Sequence, residues 1–117
     1  MNAGHIMLAL SNPISPEVDD GFNEWYRVVH GPELLKQVAG FQSMTRFRAV
    51  AQAHPSGAEF PYRYMTAYEI GNGVDCMRAL AEAVPHMTPP PPIVNMNRSF
   101  VTLYEKFYST GQDWREE

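Results

Sequence analysis

The sequence predicts an α+β fold of the ferredoxin-like kind: a β-α-β-β-α-β chain forming a four-stranded antiparallel sheet with its helices on one face. Three observations predict it. Runs of strand character over 5–10, 41–50, 62–70 and 98–108 are separated by two stretches of helical periodicity, in the order this plan requires. The length, 117 residues, is that of one domain spanning 1–117, with a core over 5–108 and a polar tail over 109–117. The strands carry large apolar side chains on both faces, so the sheet face the helices leave open needs another sheet or a ligand against it.

The first strand, His5-Ile-Met-Leu-Ala-Leu10, ends at the turn-rich 11–16. Alternation places Ile6, Leu8 and Leu10 on one face, Met7 and Ala9 on the other, and both are apolar. A helix then opens with Ser15 as N-cap and Pro16 at the first helical position, where a missing N–H costs nothing; Glu17, Asp19 and Asp20 suit its positive end. Val18, Phe22, Trp25 and Val29 form its apolar stripe, with Tyr26 and His30 one turn apart on the neighbouring face. Gly31-Pro32 predicts a break, after which Pro32 opens a short helix through Leu34, Leu35 and Val38 that Gly40 ends.

The second strand, 41–50, alternates loosely, with Met44, Arg46, Arg48 and Val50 on one face. The loop 51–61 leads to the clearest strand, 62–70, where Tyr62, Tyr64, Thr66, Tyr68 and Ile70 share a face. A helix over 74–84 carries Val74, Met77, Leu80, Ala81 and Val84 on one side, and Pro85 stops it. The stretch 85–97, with prolines at 89–92, predicts extended chain over the surface. The last strand, 98–108, alternates Val101, Leu103 and Phe107 against Phe100, Tyr104 and Tyr108.

Composition narrows the function. Nine Lys and Arg against 13 Asp and Glu give a net charge of −4, and scattered basic residues argue against a nucleic-acid surface. The longest apolar run, Ile6–Leu10, is far too short for a membrane span. One cysteine, Cys76, and the lack of a charged-then-apolar leader predict a cytoplasmic protein without disulfides, with Cys76 in the core. His5, His30, His54 and His86 stand far apart and in no ligand-spaced motif, so no metal is expected. No haem-attachment motif, Gly-rich phosphate loop or serine-nucleophile elbow occurs either, and no cofactor is expected.

At Phe22-Asn-Glu-Trp-Tyr-Arg-Val-Val-His-Gly-Pro32, followed by Val38-Ala-Gly-Phe41, the sequence resembles the dimeric α/β-barrel superfamily, and within it the EthD-like members, whose pattern here is "WY…H.P…VPGF". Tyr64-Met-Thr-Ala-Tyr-Glu-Ile70 is similar to that group's third strand. Ala39 departs from the pattern at the turn. The resemblance spans residues 5 to 108 and implies a homodimer whose open sheet faces close into one barrel, each subunit holding a ligand cavity between sheet and helices. Its members include lactone isomerases, polyketide cyclases, hydroxynitrile lyases, cofactor-free monooxygenases and, in longer chains, haem enzymes. The matching positions are Trp25, Tyr26, His30 and Pro32.

His30 is the first candidate for proton transfer, since imidazole alone titrates near neutrality unperturbed; its plainer role is to cap the preceding helical carbonyls. Tyr26 can bond His30 or hold a substrate oxygen, or serve only packing. Trp25 fits the core as well as a substrate wall. Tyr64, Thr66 and Tyr68 offer hydroxyls for a carbonyl or enolate, although tyrosines on strands also simply pack. His86, Asn95 and Asn97 flank the proline segment, either as a lid or as ordinary loop. Arg46 and Arg48 can bind a carboxylate or lie solvated at the surface. These residues predict a cofactor-independent lyase, isomerase or cyclase acting on a small hydrophobic or aromatic carbonyl compound, with His30 and Tyr26 catalytic and Trp25, Tyr64, Thr66, Tyr68 and His86 lining the substrate. Oxygen insertion into an aromatic substrate, or non-catalytic binding of an apolar metabolite, are the alternatives.

Overall fold

The computed structural model describes residues 4–51, 56–57, 61–71, 75–96, 99–108 and 110–111. His54, Val74, Asn97, Arg98 and nearly all of the expected tail lie outside them. Four strands, β1 (His5–Ser11), β2 (Phe41–Arg48), β3 (Tyr64–Ile70) and β4 (Phe100–Glu105), form one antiparallel sheet in the order β2-β3-β1-β4. One sheet face carries helices α1 (Asp19–Trp25), α2 (Gly31–Gln37) and α3 (Cys76–Ala83), so the fold is the ferredoxin-like α+β arrangement that the pattern predicts.

Alternation decides which residues the helices cover. On β1 the covered set is Met7, Ala9 and Ser11, and on β3 it is Tyr64, Thr66, Tyr68 and Ile70, each of these seven buried. Cross-strand register aligns them in rows: Arg48 with Tyr64 and Ser11, Arg46 with Thr66 and Ala9, Met44 with Tyr68 and Met7. A bulge between Phe41 and Ser43 lets Phe41, opposite Ile70, share the face of Met44 although they are three residues apart. Tyr62 falls outside β3, where its ring meets the edge of Phe100 at 5.7 Å, because β3 pairs only from Tyr64 onward.

Several expectations are corrected. The Gly31-Pro32 pair does not break the helix. The chain runs from a short 3-10 turn (Pro16–Val18) through α1, a π turn (Tyr26–His30) and α2, with Gly31 in ordinary right-handed helical geometry. The π turn admits Pro32 because its wider ring of bonds already departs from the α-ladder that proline's missing N–H would interrupt. The helix ends at Gln37, and Gly40 makes the following turn at φ 93°. Ser15 precedes Pro16 in extended geometry without a side-chain capping bond.

The face of α3 is also rotated from the one expected. Cys76, Ala79, Leu80 and Ala83 meet the sheet, whereas Met77 and Val84 are exposed; small Cys76 and Ala83 let this helix approach closely. Asp75 caps it by accepting from the Arg78 N–H, and Pro85 prolongs it as a 3-10 turn (Val84–His86) instead of stopping it. The proline segment does more than lie on the surface. Thr88 donates from its N–H and hydroxyl to the Glu33 carboxylate, Ile93 packs beside Gly21, Val94 is buried against Phe22, Tyr26 and Tyr64, and Pro13 bridges Val94. This stretch therefore straps the α1–π–α2 rod from its far end back toward its start.

Candidate functional site

The site follows from a change of helical period. Along the rod the most buried positions are Phe22, Tyr26, Gly31, Leu34 and Val38. The step of five from Tyr26 to Gly31 is the π turn, where the Gly31 N–H donates to the Tyr26 carbonyl. In a regular α-helix, residues five apart project about 140° from one another. Here the wider turn brings Trp25 and His30 into a stack, with centroids 4.4 Å apart and planes 14° from parallel, while Tyr26 meets His30 edge-on at 5.1 Å. Such π turns recur at functional sites because they re-aim side chains without ending the helix.

Gly31 makes the close approach possible. A Cβ there would fall 2.5 Å from the Met44 sulfur and 2.9 Å from the Tyr26 carbonyl oxygen. The rod thus lies against β2, and a polar line on its flank (Asp19, Asn23, Tyr26, His30) faces the polar rows of the sheet.

Arg46 is the centre of that contact. Its guanidinium carbon stands 3.8 Å from the Tyr26 ring centroid, 5.1 Å from that of Tyr64 and 5.4 Å from that of Phe22, an electron-rich enclosure for a cation. Its Nη2 donates to Asn23 Oδ1 at 2.8 Å; Asn23 Nδ2 donates to the Tyr64 hydroxyl at 3.0 Å, and that hydroxyl donates to Asp19 Oδ1 at 2.6 Å. Asp19 also draws the exposed Arg63 to 3.8 Å. Among the described residues Arg46 itself meets no carboxylate within ion-pair distance.

Several buried polar atoms beside this chain of bonds have no hydrogen-bond partner among the described residues: Trp25 Nε1, His30 Nδ1, Arg46 Nη1, Thr66 Oγ1 and Tyr68 OH. Thr66 and Tyr68 are essentially inaccessible, at 0% and 1% exposure, and Thr66 lies directly across from Arg46. Orphaned buried groups cost stability, and natural proteins keep few of them, so these five atoms mark the candidate site.

Burial sets the protonation states. It lowers the His30 pKa to about 4, with the Glu33 carboxylate opposing and Arg46 reinforcing the shift, so the imidazole is neutral at physiological pH. Burial likewise pushes the Tyr68 phenol upward beyond ionisation and lowers that of Arg46, which stays charged.

Of the residues singled out by sequence, His30, Trp25, Tyr26, Tyr64, Thr66 and Tyr68 converge on this contact. Tyr26 is taken up differently from the expectation that it bonds His30: its hydroxyl lies 3.4 Å from Ser11 Oγ and its ring supports Arg46. His86 stands apart, exposed at the end of the 3-10 turn, and the chain returns to the rod from Thr88 onward. Asn23 and Asp19 are the members absent from the sequence candidates, and the polar spacing 19, 23, 26, 30 beside an apolar stripe is their signal; Arg46, weighed as a carboxylate binder or a solvated surface residue, faces the helices. Cys76 is buried, as expected for a core thiol. Among the described residues no group of three His, Cys, Asp or Glu side chains is placed to hold a metal, and no helix is long and apolar enough to cross a membrane.

No protein-family model matches the sequence, and no curated protein matches it. Solved structures do. An EthD-like protein from Ralstonia eutropha JMP134 is similar at a TM-score of 0.52 and 14% identity, covering 93% of this chain and 97% of that one. An ethyl tert-butyl ether D (EthD) family protein from Bacillus halodurans C-125 is similar at 0.50 and 19% identity, covering 86% and 96%. HapK from Hahella chejuensis aligns at 0.49 and 13% identity over 97% and 99%. The chain therefore has the fold of EthD-like proteins, an α+β sandwich of ferredoxin-like topology.

Proposed function

We propose that this chain is a homodimeric enzyme that moves a proton on a small apolar or aromatic carbonyl compound, with His30 as the proton-transfer group. The observation that carries the reading is the His30 imidazole itself: neutral, stacked on Trp25, and bearing a buried Nδ1 without a partner among the described residues. A neutral imidazole can accept a proton, and the resulting imidazolium would face a newly formed enolate. In this reading Trp25, stacked on His30, offers a flat wall to an aromatic substrate. His86 has no part in this arrangement. Lyase, isomerase and cyclase chemistry all need such a transfer.

The dimer rests on the open sheet face. Phe47, Met65, Leu10 and Phe100 form one transverse row there, with Ala67 and Leu8 in the next and Ile6 and Tyr104 beyond. Phe47, Phe100 and Tyr104 are 43%, 56% and 50% exposed, more apolar surface than an isolated sheet of this size carries without a partner.

Proton abstraction is read without knowing the natural substrate. Aromatic ketones and β-diketones are incubated in deuterated water with the protein, and exchange at the carbon beside the carbonyl is followed by proton NMR. Exchange faster than in buffer, abolished by His30→Ala, is the expected result. A catalysed exchange that His30→Ala leaves intact would remove His30 from the mechanism, and no catalysed exchange across the panel would remove the reaction class.

A further inference from the structure

We propose that Arg46, Thr66 and Tyr68 form an anion subsite that binds a carboxylate on the ligand, so that the compound held here is an aromatic or apolar acid. The location rests on the site described above, but the argument does not need the reaction assigned to His30.

Consider what Arg46 lacks. A guanidinium carries five N–H donors; Nη2 is used by Asn23, and Nη1 is buried without an acceptor among the described residues. The carboxylate nearest in the bonding chain, Asp19, is engaged by the Tyr64 hydroxyl at 2.6 Å and drawn toward Arg63 at 3.8 Å, and reaches Arg46 only through Asn23. Ring faces and one amide oxygen offset part of the cost of burying this charge, and the Asp19 carboxylate acts on it only from beyond ion-pair distance.

The other two members point to the same ligand chemistry. Thr66 sits opposite Arg46 on the neighbouring strand, and Tyr68 is the next residue along the same face. Side chains so related have Cβ atoms about 5 Å apart across the strands and about 7 Å on the diagonal. Both hydroxyls are fully enclosed and unpartnered among the described residues, and both can donate. One guanidinium donor and two hydroxyl donors at adjoining positions of one sheet face are complementary to an anion with two oxygens. A neutral carbonyl oxygen uses fewer of them and leaves the guanidinium charge unbalanced. Trp25, stacked on His30 and edge-on to Tyr26, whose ring supports Arg46, supplies an aromatic surface on the same rod.

The binding test uses the full chain and a matched panel: benzoate, phenylacetate and phenylpyruvate against benzamide, phenylacetamide and phenylpyruvamide, titrated by calorimetry and by proton–nitrogen NMR. The acids are expected to bind at least about tenfold more tightly than their amides, the margin of a charge-assisted bond. Arg46→Gln should erase that margin. Because Arg46 is packed, Thr66→Val supplies a second variant: if Thr66 is only structural, removing an orphaned hydroxyl by an isosteric change leaves acid binding unchanged, whereas the subsite predicts weaker acid binding in a protein as stable as the parent, or more so. Acid binding should also raise the NMR pKa of His30, which faces Arg46, Glu33, Tyr26 and Trp25, and the amides should leave it unmoved. Equal affinity for acids and amides, no saturable acid binding at millimolar concentration, or a preference that survives Arg46→Gln would each overturn the subsite. Retention of the acid preference in His30→Ala with loss of proton exchange would support both readings; loss of the preference alone would defeat only this one.

Discussion

The imidazole of His30 lies on the indole of Trp25, 4.4 Å between centroids and 14° from parallel, although five residues separate them. Only the π turn permits that stack, and the turn is locked by Gly31, which lies too close to Met44 and to the Tyr26 carbonyl for any side chain.

Gly31→Ala should consequently destabilise the protein. In an exposed helix the same change would be worth about 1 kcal/mol in the favourable direction. Here the methyl group meets sulfur at 2.5 Å and a backbone oxygen at 2.9 Å, and a net loss of roughly 1–3 kcal/mol is expected from urea denaturation. A gain in stability would show that the rod can move off β2 freely.

Acid should weaken the fold through His30. Its folded pKa of about 4 lies below its unfolded value of 6.5, so between these the unfolded chain binds a proton that the folded chain refuses. The stability from this group is present above pH 6.5 and lost as pH falls toward 4. Comparison of the parent with His30→Gln from about pH 7 to pH 5 should show the parent losing about 2 kcal/mol more. Parallel losses would mean that the imidazole titrates normally.

The Asn23 side chain should matter more than the Tyr26 hydroxyl. Asn23 accepts from Arg46 and donates to Tyr64, and Asn23→Ala leaves a further guanidinium group unpaired, at a cost of about 2 kcal/mol. Tyr26→Phe keeps the ring under Arg46 and gives up one contact of 3.4 Å, so its cost should stay below about 1 kcal/mol. Chemical denaturation of the two variants in parallel checks the order.

Met65→Glu should separate the proposed dimer. Met65 stands in the middle of the row formed by Phe47, Leu10 and Phe100, and a carboxylate placed there would be an unpaired charge buried by the proposed partner sheet. Sedimentation should give the dimer mass for the parent and the monomer mass for the variant; a monomeric parent would refute the barrel.

Strand faces were readable because their period of two is short and rigid: Tyr64, Thr66, Tyr68 and Ile70 alternate with residues of the other face in sequence and in space. The helical rod was harder to read. A stripe counted at steps of three and four from Phe22 selects Trp25 and Val29, whereas the observed burial passes through Tyr26 and then steps five to Gly31. A π insertion changes the phase of everything beyond it, and Gly31-Pro32 signalled a break because both residues usually do break helices. On α3 the large Met77 and Val84 mark a face that stays exposed, because small Cys76 and Ala83 let the helix settle on the sheet by another.

By itself the sequence determined the order of the elements, the two faces of each strand, and the gathering of Trp25, Tyr26, His30, Tyr64, Thr66 and Tyr68 as candidates, because these depend on local periods and on residue type. Only the tertiary structure decided that Arg46 turns toward the helices instead of the solvent, that Asn23 and Asp19 complete its bonds, and that His86 stays outside. Whether a charged side chain is buried depends on what the opposite layer presents to it, and that layer comes from segments more than twenty residues away in the chain.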